Sequence, residues 1–443
     1  MLFFKRINYI KLKDFLEMNL LKKVLEKEVF LALGCTEPIA VAYACSIASF
    51  YLNSPWERLE IVLDSGVYKN GFSVHIPNTN GEKGNLLAGV LGALIAKPEL
   101  KMEILKEVEP DKLKKAKEIV DSQKAKLILD HNKKKLYIEV RIFSSAEYVR
   151  VVVQHSHTNL ELVEKNKEII FSAHNSKETE KEKDDYKKKL QTKHISDFIE
   201  LVEAIDKEDY QYILKGVFTN LKIAEEGLKL KKVGYYLQRL EDKGFISKNI
   251  FSQVKILTAA ATDARMAGVN LPVMASGGSG NQGIVAILVP YLVGKEFGIK
   301  EETIVKSIGF SHLLNSYVKA FTGSLSSLCG CAIAAGVGAA AAIVYQQQKD
   351  NLTNISLAIN NIISDIGGML CDGAKGGCAL KVATSADSAL RAAYMALNGY
   401  GIGYEDGFMG KSGEETIQNL SKIIALGMPK ANDVMLDIMS YKV

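Results

Sequence analysis

Four of the six cysteines lie in two glycine-rich segments late in the sequence, where their spacing suits metal binding. Cys329 and Cys331 flank a glycine just before an alanine-rich run, and Cys371 and Cys378 enclose a turn with three glycines. Thiolates are soft ligands that favour zinc or an iron–sulfur cluster. The short cysteine knuckles typical of structural zinc sites are absent, so the spacing favours a cluster. Four small buried core residues are the alternative interpretation.

Cys35 precedes a predicted helix and is a candidate nucleophile or general base. Gly34 is a natural helix stop, and residues 36–38 (Thr-Glu-Pro) resemble the N-cap and first turn of a new helix. A helix N-terminus stabilises a thiolate, so we expect a low pKa for Cys35. A small capping residue without chemical function is the alternative. Cys45 falls within the same helix and is predicted to be a core residue.

A glycine-rich loop at residues 276–283 leads into an apolar helix. Backbone N–H groups and a helix dipole at such a loop bind an anion, either a phosphate, as in pyridoxal phosphate enzymes, or a substrate carboxylate. A flexible loop without a ligand is the alternative, but the side chains of the loop argue against it. The predicted substrate-binding residues of the loop are Ser276, Ser279, Asn281 and Gln282.

A polar face is predicted on the otherwise apolar helix 302–320. His312, Asn315, Ser316 and Lys319 follow one another at helical spacing. We expect His312 and Lys319 to contact the substrate, with a solvated helix face as the alternative.

Two further pairs of residues have simpler expected roles. Asp263 and Arg265 precede the glycine-rich loop and are predicted to form a structural ion pair. His155 and His157 share one face of a strand, as metal ligands sometimes do. Their charge-rich surroundings predict a surface pair instead.

The elements predict an α+β fold that is mostly helical, with an inserted α+β module. Residues 101–200 contain 41 charged side chains, whereas residues 251–350 contain 12, so a solvated module adjoins a deeply buried one. Six strands are predicted between residues 59 and 171, the first of them over 59–67, and a first helix is expected to run to Leu33. The later helices are predicted over 195–206, 210–230, 250–266, 281–296, 302–320, 331–348, 354–370 and 378–397. The predicted domains are a helical unit of residues 1–54 and 191–443 and a module of residues 55–190.

Composition excludes several classes of protein. The 443 residues carry a net charge of only +5, which gives no basis for nucleic-acid binding. Six cysteines are too few for a disulfide framework. The longest uncharged helix candidate, 331–345, is shorter than the roughly 20 residues of a membrane span. Charges within residues 5–14 interrupt any secretory signal, so we expect a cytoplasmic protein with no membrane partner.

Several short segments, taken in their order along the chain, resemble one known family. The chain resembles the L-cysteine desulfidases, whose catalytic region is similar to the alpha chain of iron–sulfur L-serine dehydratases. The likeness spans about residues 20–440 and rests on Gly-Cys-Thr-Glu-Pro at 34–38, Asp-Ala-Arg-Met at 263–266, Gly-Ser-Gly-Asn-Gln-Gly at 278–283, Cys-Gly-Cys-Ala at 329–332 and Cys-Asp-Gly-Ala-Lys at 371–375.

The resemblance implies a [4Fe–4S] enzyme that converts L-cysteine to sulfide, ammonia and pyruvate without pyridoxal phosphate. It implies Cys371 and Cys378 as cluster ligands, with Cys331 as the third and Cys329 as the alternative third ligand. It also implies Cys35 as the catalytic base. The regulatory domain of serine dehydratases has no obvious counterpart here, which favours cysteine over serine as substrate.

Two rival functions remain beside this interpretation. One is an L-serine dehydratase with the same cluster, and the other is a non-catalytic structural or sensor protein that uses the cysteines only to hold metal. The expected partner is a small-molecule substrate, L-cysteine. A homo-oligomer is left open.

Overall fold

The computed structural model describes residues 19–133, 136–173, 185–323 and 326–441. Within these ranges the chain forms seventeen α-helices and eight strands, which confirms the expected α+β, mostly helical fold. The predictions made for the extreme N-terminus lie outside the described residues.

The strands fall almost entirely in the first half of the chain. They are β1 (Leu31–Leu33), β2 (Arg58–Leu63), β3 (Ala125–Leu129), β4 (Tyr137–Phe143), β5 (Tyr148–Gln154), β6 (Leu160–Lys165), β7 (Glu168–Ser172) and β8 (Pro272–Met274).

The helices surround the strands and then fill the second half of the chain. They are α1 (Leu20–Glu28), α2 (Thr36–Phe50), α3 (Ser65–Gly71), α4 (Asn85–Ile95), α5 (Pro110–Asp121), α6 (Asp185–Gln191), α7 (Ile195–Glu203), α8 (Lys207–Leu228), α9 (Val233–Asp242), α10 (Ile250–Met266), α11 (Gly280–Glu296), α12 (Glu301–Thr322), α13 (Ile333–Gln348), α14 (Leu352–Ile366), α15 (Cys378–Leu397), α16 (Gly413–Lys422) and α17 (Pro429–Ser440).

Strands β2 to β7 form one mixed sheet in the order β3-β2-β4-β5-β6-β7. Strands β2 and β3 run parallel, and the other neighbours are antiparallel. Val140 of β4 pairs with Ile61 on one side and Val151 on the other, and all three are fully buried. This apolar face packs in one core with α2 and α4. A Cβ atom on Gly92 of α4 would lie 2.0 Å from the carbonyl oxygen of Ala42, so these two helices approach to backbone contact.

Two local predictions for the N-terminal half are wrong. A strand was expected over residues 59–67, but Asp64 ends it, because its carboxylate accepts hydrogen bonds from the N–H groups of Gly66 and Val67 and caps α3. The first helix ends at Glu28 rather than Leu33. The residues that follow form β1 instead, which pairs with β8.

Pairing of β1 with β8 joins two distant parts of the chain. Ala32 lies opposite Val273, and the N–H of Ala275 donates to the carbonyl of Phe30 at 2.8 Å. Cys35 follows β1 directly and the loop 276–283 follows β8 directly. This small sheet therefore brings two of the predicted functional segments together.

Helix α13 lies at the centre of the helical part. Residues 333–346 of this helix are all buried, and small side chains allow close packing. A Cβ atom on Gly338 would lie 2.5 Å from the carbonyl oxygen of Ser311 in α12. Ser385 of α15 donates to the carbonyl of Ala332 at 2.7 Å, which fixes α15 against the start of α13. The cysteine segments, which flank α13 and α15, are thereby held on rigid elements.

The buried apolar residues form two large clusters. One contains the sheet with α2, α4 and α5, and the other contains α1, α6 to α8 and α10 to α16. Helix α2, which was assigned to the helical domain by the boundary at residue 54, thus packs with the sheet. The domain boundaries themselves remain a prediction. In the described parts of the chain, no helix is both long and apolar enough to cross a bilayer.

Candidate active site

Cys35 lies where the two apolar cores meet. It is the N-cap residue of α2, and it shares a small buried cluster with Met266 and Cys378. Gly34 has a φ of 75°, and a Cβ atom there would lie 2.8 Å from Cγ of Pro77. Glycine is therefore required directly before Cys35. The structure brings this cysteine beside one of the late cysteines, although the two are far apart in the sequence.

The two late cysteine segments pair with each other. Leu328 and Leu370 form an isolated antiparallel bridge. The N–H groups of Cys329 and Cys371 each donate across this bridge, at 2.9 and 2.8 Å. Cys378 is the first residue of α15 and is buried, as is Cys329. The four late cysteines thus meet in one region, and their role as metal ligands stays a prediction.

A hydrogen bond joins the side chains of Cys329 and Cys331. A hydrogen bond from the Cys331 thiol lowers the pKa of Cys329 to about 6, helped by the N–H of Ala332 and the charge of Lys381, whereas burial opposes this shift. The pKa of Cys331 is raised, because its thiol is the donor and because it is buried. The two thiols therefore shift each other's pKa in opposite directions.

The other two late cysteines are held protonated by their surroundings. Burial raises the pKa of Cys378 to about 11. Burial also raises the pKa of Cys371, and the charges of Lys69 and Lys381 oppose this shift. These lysines border the cysteines and would stabilise thiolates that bind a metal.

The donor set suits a thiolate-bound cluster. In the described residues, no three His, Cys, Asp or Glu side chains form a group that could hold a metal ion. The late cysteines nevertheless affect one another's pKa values, so they share one environment. Soft sulfur donors alone, with neighbouring lysines, match the preference of iron–sulfur clusters.

Helix α3 of the sheet module contributes a buried lysine to this region. Lys69 donates to the carbonyl of Cys371 at 2.9 Å and to Oδ1 of Asn432 in α17 at 2.7 Å. Burial lowers its pKa. A Cβ atom on Gly373 would lie 2.3 Å from the carbonyl oxygen of Lys69, so the cysteine turn packs directly on α3. Sequence analysis missed Lys69, because no motif marks it.

The expected low pKa of Cys35 is not found. Burial raises the pKa of Cys35 well above its ordinary value, and the charge of Glu37 raises it further, whereas the charge of Arg265 lowers it. The Cys35 thiol donates to Oε2 of Glu37 at 3.0 Å. The carboxylate and the burial outweigh the helix N-terminus, so the thiol is the resting form.

Glu37 is a buried carboxylate with several donors around it. Thr36 donates to Oε2 at 3.0 Å, Asn70 donates to Oε1 at 3.0 Å, and Nε2 of His157 lies 3.8 Å from Oε1. Burial alone would raise the pKa of Glu37, but the neighbouring His157 and the bonds from Cys35 and Asn70 lower it well below its usual range. Glu37 is therefore ionised beside Cys35.

His157 is not the surface residue that was expected. Its side chain is 14% exposed and faces Glu37, whereas His155 of the same loop is exposed. The charge density of the surrounding sequence misled the prediction, because it describes the solvated face of the sheet rather than this loop.

One serine of the loop 276–283 forms hydrogen bonds with two side chains of helix α12. Ser276 is fully buried, and its Oγ lies 2.8 Å from Nδ1 of His312 and 2.9 Å from Nδ2 of Asn315. Asn315 is a donor here, so we assign the serine proton to Nδ1 of His312. His312 then carries its own proton on Nε2. The polar face of α12 is buried in the protein, which excludes the solvated alternative.

Gln282 connects the loop with the cysteine segment. A Cβ atom on Gly330 would lie 2.8 Å from Nε2 of Gln282, and one on Gly277 would lie 2.8 Å from Oε1. Lys319 donates to the carbonyl of Gly277. Burial lowers the pKa of Lys319, and the charges of Glu28, Cys331 and Glu37 oppose this shift. The loop, α12 and the cysteines thus belong to one site.

Arg265 is part of this site rather than of an ion pair with Asp263. Its Nη1 donates to Oδ1 of Asn281 at 2.9 Å, and a Cβ atom on Gly280 would lie 2.4 Å from its Nε. Asp263 accepts the N–H of Gly234 at 2.8 Å instead. The predicted pair does not form, because the two side chains point to different helices. Ser279 caps α11 in a partly exposed position.

Four buried polar atoms of the site have no hydrogen-bond partner among the described residues. Two are donors, Nε of Arg265 and Nε2 of His312, and two are acceptors, Oε1 of Gln282 and Oδ1 of Asn315. An unpaired buried polar atom costs free energy, so such atoms in one place indicate a missing ligand. Donors suit a carboxylate and acceptors suit an ammonium group.

His312 is expected to make stability depend on pH. Burial lowers its pKa to about 3, so below pH 6.5 the unfolded chain binds a proton that the folded protein does not. The stability that the neutral, buried His312 contributes to the folded protein is present above pH 6.5 and is lost as the pH falls toward 3. When the pH is lowered from 7 to 5, the free energy of unfolding of the wild type should fall by about 2 kcal/mol more than that of a His312→Asn variant.

Urea unfolding at the two pH values measures this difference. The control is His131→Asn, which replaces an exposed histidine and should behave as the wild type. Equal losses in the wild type and in His312→Asn would contradict the burial of a neutral imidazole.

Comparison with known proteins identifies the family of the chain. A family model described as the serine dehydratase alpha chain matches residues 99–437. A UPF0597 protein of Elusimicrobium minutum is 54% identical over 426 residues, which cover 96% of this chain and 100% of the relative. A UPF0597 protein of Geobacter sulfurreducens is 53% identical, covering 96% and 99%, and one of Clostridium tetani is 39% identical, covering 95% and 98%. The chain therefore belongs to the serine dehydratase alpha chain family.

Proposed function

We propose that the protein is an iron–sulfur-dependent L-cysteine desulfidase, which eliminates hydrogen sulfide from L-cysteine and leaves pyruvate and ammonia. Membership of the serine dehydratase alpha chain family supports a dehydratase-like lyase. The observation that carries the proposal is the set of unpaired donors and acceptors beside Cys35 and the late cysteines. Such a set fits the carboxylate and the ammonium group of an amino acid.

The carboxylate of the substrate binds at the start of α11. Arg265 supplies its free Nε there, and the N-terminal N–H groups of the helix and the Ser279 hydroxyl add further donors. Asn281 positions Arg265 through its bond to Nη1. His312, oriented by Ser276, donates from Nε2.

The ammonium group binds the two free oxygens, Oε1 of Gln282 and Oδ1 of Asn315. Lys319 holds the loop in place through its bond to the carbonyl of Gly277. These contacts would fix Cα of the substrate in one orientation, which is the main requirement of an elimination.

Cys35 acts as the base that removes the Cα proton. The thiol proton, which Cys35 donates to Oε2 of Glu37 at rest, must pass to solvent before the thiolate can act as a base. Arg265 and the substrate ammonium bring positive charge that favours the thiolate, opposing the burial and the charge of Glu37. The proton of Cα passes to the sulfur of Cys35 as the C–S bond of the substrate breaks. The aminoacrylate product tautomerises to an imine, and water converts it to pyruvate and ammonia.

Cys371, Cys378 and Cys331 are the proposed ligands of a [4Fe–4S] cluster, with Cys329 as the alternative third ligand. When bound, a cluster with one iron open to substrate supplies a Lewis acid for the leaving group. Glycines in both cysteine segments and the neighbouring lysines suit this group.

An L-serine dehydratase with the same site is the second candidate, and the description of the family model favours it. Anaerobically purified protein is expected to be brown and to release equimolar sulfide and pyruvate from L-cysteine. Turnover of L-serine should be at least about tenfold lower in kcat/KM. Exposure to air, as the matched control, should remove both the colour and the activity.

Each other outcome of this assay identifies a rival. Equal or faster pyruvate formation from L-serine would identify a dehydratase. Brown protein without turnover of either amino acid would favour a structural or sensor protein. An absorbance band of an imine that hydroxylamine removes would indicate pyridoxal phosphate instead.

A further inference from the structure

The loop between β5 and β6 brings a histidine from the sheet module to the buried site. Residues 155–159 form a compact turn in which the N–H of Gln154 donates to the carbonyl of Asn159 at 3.1 Å, and Asn159 returns a side-chain bond at 2.9 Å. His155 adopts a φ of 71°, which is uncommon for a residue other than glycine. The turn is therefore well defined, and it presents His157 inward and His155 outward.

His157 completes a continuous series of polar contacts. Its Nε2 lies 3.8 Å from Oε1 of Glu37, and Oε2 of Glu37 accepts the thiol of Cys35 at 3.0 Å. Nε2 is buried and has no hydrogen-bond partner within the described residues. The site described above does not use this imidazole.

Glu37 needs such a neighbour to keep its orientation. Asn70 bonds the same carboxylate oxygen that His157 faces, while Thr36 and Cys35 share the other oxygen. Both oxygens of the Glu37 carboxylate therefore accept hydrogen bonds. Loss of His157 leaves Oε1 with the hydrogen bond from Asn70 alone among the described residues, which favours rotation or protonation of the buried carboxylate.

We propose that His157 is a positioning residue, which holds the Glu37 carboxylate and through it the Cys35 thiol in the reactive orientation. The catalytic part of this inference rests on the proposed function. It also assigns a role to the sheet module, which supplies the histidine that supports the base of the helical part.

The experiment compares three variants of the full-length, cluster-loaded protein. His157→Ala should lower kcat on the order of tenfold, because Glu37 loses the polar side chain beside Oε1 that keeps its orientation, and should change KM by less than about twofold. His157→Gln can still donate to Glu37 and should recover most of the lost kcat. His155→Asn replaces the outward histidine of the same turn with a residue that tolerates a positive φ, and it should match the wild type.

A second measurement does not require turnover. The infrared S–H stretching band of Cys35 is assigned by its absence in Cys35→Ala. In His157→Ala this band should move to higher frequency because the bond to Glu37 weakens, and in His157→Gln and His155→Asn it should stay in place. A protein that turns over neither amino acid would refute the proposed function, and the infrared band would still decide the role of His157.

Two results would overturn the inference. One is an unchanged kcat and an unchanged S–H band in His157→Ala. The other is an equal loss of kcat in His157→Ala and His157→Gln together with a lower melting temperature, because a purely structural histidine would behave in this way.

Discussion

Replacing Cys35 with alanine is expected to abolish turnover of L-cysteine and to leave the brown cluster in place. Cys35 is the residue that we propose as base, and removing a general base costs about a factor of 10² to 10⁴. Its side chain bonds Glu37 rather than any late cysteine, so the proposed ligands are untouched. The kcat of the variant, its visible spectrum and its iron and sulfide contents measure the two effects separately.

Cys35→Ser is the matched variant. Serine can keep the hydrogen bond to Glu37, but a hydroxyl is a much weaker acid than a thiol, so this variant should also be inactive and brown. Together the two variants separate the loss of the thiolate from a loss of packing. A Cys35→Ala protein that keeps more than a tenth of the activity would contradict the base assignment, and a colourless one would make Cys35 a ligand.

The gathering of the late cysteines could be predicted from the sequence. Glycines next to Cys329, Cys331 and Cys378 indicate turns at helix ends, and such turns can meet when the helices between them pack side by side. The polar spacing on helix α12 predicted equally well that His312 and Lys319 share a face. Both predictions rest on local patterns in the sequence. The packing of α12, α13 and α15 then brings the cysteines and the polar face of α12 together in one site.

The state of Cys35 could not be predicted in this way. A helix N-terminus is visible in the sequence, whereas burial and the orientation of Glu37 depend on the meeting of two cores. Glu37 lies within the segment of residues 34–38 that carries the family resemblance, and that was the available signal. His157 had no comparable signal, because 120 residues separate it from Glu37 and only the sheet brings them together.

The errors in the fold have the same origin. Strand β1 was interpreted as the end of a helix, because its apolar residues continue the helical spacing of α1. Its real partner, β8, is three residues long and is recognisable only by its pairing. Helix α3 begins inside an apolar run because of the side-chain bonds of Asp64, which outweigh the β-propensity of its neighbours.

Replacing Cys371 with alanine is expected to remove both the colour and the activity while the fold survives. The backbone of residue 371 keeps its contacts, since its N–H donates across the bridge to the other cysteine segment and its carbonyl accepts from Lys69. Neither contact uses the sulfur. The variant should therefore show the circular dichroism of the wild type, less than a tenth of its iron, and no turnover.

The control for this change is another buried cysteine. Cys45→Ala removes a sulfur from the core of α2, where burial holds the thiol protonated, and it should cost about 1 kcal/mol of stability while colour and activity persist. Cys331→Ala should behave as Cys371→Ala, and Cys329→Ala should keep its iron. The reverse result would exchange their roles. Full iron content in Cys371→Ala would contradict the proposed ligand set, which assigns one of its three thiolates to Cys371.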